Sequence, residues 1–187
     1  MYFTAEGSNS IARYDPFTDH IDWMRESGQN GTHMLVMTKD LNKMFTSNMG
    51  SGSVSMFERA PGEQEYKLRV VIQVGRNPEA IALSPDGKQV WTATFGDSHV
   101  AIIDVTAGTV IERFSLSAQC INRLKFTPDT KHVLLSDSEN GDLIILDAAL
   151  HKEVKRLKIG ENCEGILVTP DGSRAYVPTW LRRGTTS

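Results

Sequence analysis

The sequence predicts an all-β protein, a β-propeller built of four-stranded antiparallel blades, on three observations. The stretch Asn77–Leu116 holds four short segments of aliphatic and β-branched residues, Ala80–Ser84, Gln89–Thr94, His99–Val105 and Val110–Leu116, divided by Pro-Asp-Gly, Gly-Asp-Ser and Thr-Ala-Gly turns. Near copies of it follow. The turn aspartates Asp40, Asp86, Asp129 and Asp171 recur at separations of 46, 43 and 42 residues, and a second landmark, Asp15, Glu58, Asp104 and Asp147, recurs at 43, 46 and 43. None of the segments spaces its apolar residues at three and four, as a helical repeat would. A period of this length with four strands per unit is that of a propeller blade.

Taken in order, the first blade, about residues 1–30, enters mid-repeat: Tyr2–Ala5, Ser10–Asp15 and His20–Met24 match the second, third and fourth strands, and no first strand precedes them. The second, 31–75, runs through Met34–Thr38, Met44–Asn48, Ser53–Glu58 and Leu68–Val74. Its longer last connection, Arg59–Glu65, accounts for the spacing of 46. The third and fourth repeats occupy roughly 77–117 and 120–160, within blade boundaries of 76–117 and 118–160. The fifth, 161–187, is incomplete, with a first strand from Glu164 to Thr169, a second at Arg174–Val177, and a tail from Thr179 that leaves the pattern. In Ser84-Pro85-Asp86-Gly87-Lys88 each turn residue has a role: proline presets φ, Asp86 bonds the backbone ahead of it, and Gly87 takes the left-handed conformation. The whole forms one partial propeller of about four blades. An open array of that kind exposes apolar blade faces, so completion by dimerisation or by a missing half is expected.

Composition narrows the function. The chain of 187 residues is 40% hydrophobic and 23% charged, long enough to bury a core. A net charge of -3, with acidic and basic residues interspersed, argues against a nucleic-acid partner. No apolar run approaches the roughly 20 residues that cross a bilayer, and the chain as given opens in strand-like sequence without a basic, apolar leader. Two cysteines, Cys120 and Cys163, fit neither a disulfide framework nor a zinc pattern and read as partly buried thiols.

The run Phe3-Thr4-Ala5-Glu6-Gly7-Ser8-Asn9-Ser10-Ile11, the Ser-Pro-Asp-Gly-Lys turn followed by Val90-Trp91-Thr92-Ala93-Thr94, and Pro170–Pro178 together resemble the YVTN family of bacterial β-propeller repeats, grouped with lactonase-like seven-bladed propellers. The pattern breaks at Leu41-Asn42, at Thr130 where glycine is expected, and after Pro178. The resemblance implies a closed ring of about seven blades, a periplasmic or extracellular location, and in some members a calcium held by acidic and amide ligands around the channel.

Seven residues before each turn aspartate stand His33, Glu79, Asn122 and Glu164. The first strand of a blade lines the central channel, so these side chains converge on one level of it. Two carboxylates, an imidazole and a carboxamide, with Arg123 next to Asn122, make a polar ligand site. Glu79, Asn122 and Glu164 are the candidate ligands for Ca2+, and His33, Glu79 and Glu164 the candidate acids and bases. The alternative is a hydrated channel in which Arg123 pairs with Glu79 or Glu164.

Other residues read as scaffold. Asp15, Asp104 and Asp147 are turn caps; His20, His99, His132 and His151 are surface histidines; and Met24, Met34, Met37, Met44, Met49 and Met56 are core fillers. The favoured function is a non-enzymatic scaffold that binds a small-molecule ligand or a protein through the channel mouth and loops, with self-association. The alternative is a lactonase-like hydrolase.

Overall fold

The computed structural model describes residues 1–180, which form seventeen strands and one short 3-10 turn. β1 (Tyr2–Ala5), β2 (Ser10–Asp15) and β3 (His20–Glu26) make a three-stranded sheet. Three four-stranded antiparallel sheets follow: β4 (Thr32–Met37) to β7 (Lys67–Gln73), β8 (Pro78–Leu83) to β11 (Thr109–Ser115), and β12 (Ile121–Phe126) to β15 (Lys152–Lys158). β16 (Leu167–Val168) and β17 (Ala175–Tyr176) form a final hairpin. The intervening strands are β5 (Lys43–Asn48), β6 (Ser53–Glu58), β9 (Gln89–Thr94), β10 (His99–Asp104), β13 (His132–Asp137) and β14 (Asp142–Asp147). This is an incomplete β-propeller of about four blades. Among the described residues, no helix is long and apolar enough to cross a membrane.

The turn chemistry repeats as its sequence implies. Thr38, Ser84, Thr127 and Thr169 donate their hydroxyls to Asp40, Asp86, Asp129 and Asp171 at 2.5–2.6 Å, and each aspartate accepts the amide two residues on at 3.0–3.1 Å. Those hydroxyl bonds hold all four carboxyls below their ordinary range. Leu41 and Thr130 sit at φ 58° and 65°, the conformation Gly87 and Gly172 adopt at 74° and 72°. The departures from glycine therefore change the strain of the turn and leave its shape intact. Asp15, Asp104 and Asp147 cap the outer turns by accepting amides at 2.7–2.9 Å.

Alternation along each strand gives every blade two apolar faces, and successive blades bury them against one another. Between the second and third blades lie Phe45, Val54, Met56 and Ile72 against Ile81, Ala101 and Ile103. Between the third and fourth, Trp91, Ala93 and Ile102 meet Leu124, Val133, Leu135 and Ile144. Burying the valine, leucine, isoleucine, methionine and phenylalanine side chains among them contributes about 1.5–3 kcal/mol each. The inner strands β4, β8 and β12 stand side by side, with β1 and β16 flanking them.

Three details differ from the sequence expectation. The first strand of the fifth repeat is only Leu167–Val168, so Glu164 precedes it in open backbone. That hairpin has no third strand among the described residues to fix its outer edge. Met44 and Met56 are buried as core, whereas Met24 points outward and is 55% exposed. His151 is no isolated surface residue: it stacks on Phe114 at 5.6 Å, stands edge-on to Trp91 at 5.0 Å, and meets Glu112 at 2.8 Å across two blades. The tail expected to leave the repeat pattern lies, from residue 181 on, outside the described residues.

Candidate functional site

The inner strands share a device at their entry. Pairing skips a residue between Thr32 and Met34, between Pro78 and Ala80, and between Ile121 and Arg123. The skipped residues are His33, Glu79 and Asn122, three of the four polar residues at the predicted level. A β-bulge leaves one residue unpaired and re-aims its side chain, so the same irregularity sets these three groups apart from the ladders in three successive blades. Ser47 and Ser136 hydroxyls accept the following amides, Met34 N and Arg123 N, at 3.3 and 3.1 Å.

The level divides into two clusters. In the first, Glu79 Oε1 lies 3.0 Å from His33 Nε2 and 2.9 Å from Arg123 Nη1, while His33 Nδ1 meets Glu6 Oε2 at 2.9 Å. Arg123 also donates to the Asn122 carbonyl at 2.7 Å. Glu79 is buried. Burial pushes its carboxyl up, but the bonds from His33 and Arg123 outweigh that and hold it below the ordinary value. The Glu79 hydrogen bond raises His33 in turn.

In the second cluster, Asn122 and Glu164 line a cleft of about 500 Å³ with Cys120, Ser138, Glu139 and Glu161, flanked by Phe95 and Trp180. The Asn122 side-chain oxygen accepts the Ser138 hydroxyl at 2.7 Å and the Cys120 thiol at 2.9 Å. Both cysteines are free and buried, and burial pushes both thiols up, which keeps them protonated. Behind them the fully buried Asp137 accepts Gln119 N and Cys120 N at 3.1 and 3.0 Å and the Asn140 amide at 2.7 Å, clamping the entry to β12. Asp137 was not picked out by the spacing argument. Its signal was the polar residue closing the second strand of each full repeat, Asn48, Thr94 and Asp137.

The candidate calcium ligands do not fit a cation in this arrangement. Arg123 puts a positive charge 2.9 Å from Glu79. The Asn122 oxygen is committed to two donors, and Glu164 lies with the other cluster. Among the described residues no three His, Cys, Asp or Glu side chains gather as a ligand set.

Comparison with solved structures places the fold. The chain superposes on hydrazine synthase from Kuenenia stuttgartiensis with a TM-score of 0.84 at 22% identity, covering 94% of this chain and 51% of that one. A functionally unknown protein from Desulfotomaculum acetoxidans gives 0.81 at 14% identity, covering 94% and 57%. A protein from Bacteroides uniformis named as a candidate 6-phosphogluconolactonase gives 0.75 at 14% identity, covering 90% and 56%. In sequence, the chain is 29% identical over 110 residues to antigen Lp49 of Leptospira interrogans, covering 51% of this chain and 23% of that protein. No known family pattern matches. The chain thus spans about half the length of the structures it matches and about a quarter of Lp49.

Proposed function

We propose that the chain is a non-enzymatic propeller scaffold that binds a small polar ligand at the channel mouth, in the cleft between the fourth blade and the final hairpin. One observation carries this reading: a concave site of about 500 Å³ in which amide, hydroxyl and carboxylate groups converge beside two exposed aromatic rings. Its walls are held by structure behind them, with Asp137 fixing Cys120 and Ser138 fixing Asn122. Glu139, Glu161 and Glu164 are in no ion pair among the described residues, so a ligand bearing a positive charge is favoured. Chemical-shift mapping with small primary amines and, separately, small carboxylates tests it. Perturbations at Asn122, Ser138 and Glu164 from the amines alone, lost in Glu164→Gln, are expected. No perturbation at the cleft from either class at millimolar concentration would end the proposal.

The hydrolase alternative draws on the structural likeness to the candidate 6-phosphogluconolactonase. It is the weaker reading because both ring nitrogens of His33 and one oxygen of Glu79 are already engaged, leaving neither as a ready acid or base. A lactone panel decides: turnover abolished by Glu79→Gln or Glu164→Gln would favour the hydrolase.

A further inference from the structure

Two neighbouring blades treat the same arginine differently. Arg113 pairs with Ala101 and Arg156 with Ile144, each two rungs in from the pair at the end of its ladder, His99 with Ser115 and Asp142 with Lys158. The two arginines therefore hold equivalent places in the third and fourth blades. Both reach back across a blade junction, Arg113 Nη2 donating to the Gln73 carbonyl at 2.6 Å and Arg156 Nη2 to the Ser117 carbonyl at 2.9 Å. Arg156 is neutralised within its own blade, where Asp142 stands 3.2 Å from its Nη1 and Glu153 2.7 Å from its Nη2. In the third blade the ladder puts His99 where the fourth has Asp142, and Val110 where it has Glu153. Arg113 thus keeps the reach but has neither counterion, and among the described residues it is in no ion pair.

A second guanidinium stands close by. Three residues after Gln73, whose carbonyl holds Arg113, comes Arg76, which is also in no ion pair among the described residues. Its side chain lies over the turn at Gly96, where an added Cβ would stand 3.0 Å from the Arg76 Cβ and 3.4 Å from its Nε, so the bare turn gives the arginine its place. Arg76 and Arg113 open onto two contiguous grooves, of about 610 and 320 Å³, that share Gln73, Gly75 and Asp97, with His99 lining the second. Asp97 is the one carboxylate among these lining residues, and it already accepts the Thr94 hydroxyl and, at 3.4 Å, the Arg76 amide. Two arginines against one engaged carboxylate leave the junction with net positive charge.

We propose that the junction of the second and third blades binds a small doubly charged oxyanion, a phosphate group or a dicarboxylate, held by Arg113 and Arg76. One guanidinium matches the two oxygens of a single carboxylate, whereas two guanidiniums call for an anion with more oxygens and more charge. The fourth blade shows the same balance met from within, since there two side-chain carboxylates serve one arginine. In the third blade the ligand supplies what His99 and Val110 do not. The site shares no residue with the cleft at Asn122 and Glu164, so it is a second site, and its ligand is of opposite charge.

Chemical-shift titration with inorganic phosphate, succinate and acetate, at constant ionic strength and above neutral pH, tests this. Phosphate or succinate should shift the signals of Gly75, Arg76, Gly96 and Arg113 saturably in the millimolar range, and acetate about tenfold more weakly; the tighter of the first two names the class of ligand. Arg113→Gln should weaken binding about tenfold or more, the scale of a lost charged hydrogen bond. His99→Asp, which gives the third blade the carboxylate that Arg156 has in the fourth, should weaken it similarly, while His99→Gln should not. Asp97→Asn, which removes the opposing charge, should tighten it. Circular dichroism confirms the fold of each variant. The proposal is overturned by shifts that do not saturate, by equal responses to all three anions, or by binding unchanged in both Arg113→Gln and His99→Asp. Amine binding at the cleft is read from Asn122, Ser138 and Glu164, so either site can fail alone.

Discussion

At the residue scale the informative group is His33, whose side chain is 22% exposed and lies between Glu79 and Glu6. Its folded-state value is raised above 6.5, first by the Glu79 hydrogen bond. The stabilisation it gives is complete below 6.5 and fades as pH rises through the folded value. Glu79 behaves oppositely: with its carboxyl held below 4.5, its contribution is present above that pH and fades as pH falls through the lower folded value. The pair is therefore worth most between about pH 4.5 and 6.5. His33→Gln should lower stability by about 1–2 kcal/mol at pH 5.5, the scale of a charge-assisted hydrogen bond, and by clearly less at pH 8.5. Melting temperatures of the two proteins at both pH values check it; an equal gap at each would show that His33 acts by shape alone.

At the element scale the turns separate two effects that a glycine combines. Gly87 and Gly141 have nearly the same φ, 74° and 69°. A Cβ at Gly87 would meet nothing within 4 Å, whereas at Gly141 it would stand 2.6 Å from the Gly160 carbonyl oxygen, where the chain leaves the fourth blade. Gly87→Ala should cost about 1 kcal/mol for the left-handed conformation, and Gly141→Ala clearly more, because backbone must shift. Thr130 is the reverse case, a β-branched residue already held at φ 65°. Thr130→Gly should stabilise by roughly 0.5–1 kcal/mol, the strain relieved less the added entropy of the unfolded chain. Urea denaturation of the three variants orders them, and a Thr130→Gly variant less stable than the parent would contradict the strain argument. These turns were legible in the sequence, because Thr-x-Asp and Ser-x-Asp chemistry is local. The bulges at His33, Glu79 and Asn122 were not: skipping a partner depends on the neighbouring strand and leaves no residue-level mark. Spacing alone thus picked out His33, Glu79, Asn122 and Glu164, but not their division into an ion-paired cluster and a cleft.

At the scale of the whole molecule, blades contact only their neighbours, so stability is close to a sum of blade and junction contributions. The junctions of the second with the third blade and of the third with the fourth hold the two largest clusters of buried side chains, including Phe45, Trp91, Ile102 and Ile144. Among the described residues the first blade has one face packed against a neighbouring blade, and the last hairpin has two strands of two residues. Amide protection should therefore be graded along the chain, greatest in β5, β6, β9, β10, β13 and β14, intermediate in β1 and β2, and least in β16 and β17. Hydrogen exchange read strand by strand checks it, and uniform protection along the chain would refute the graded sum.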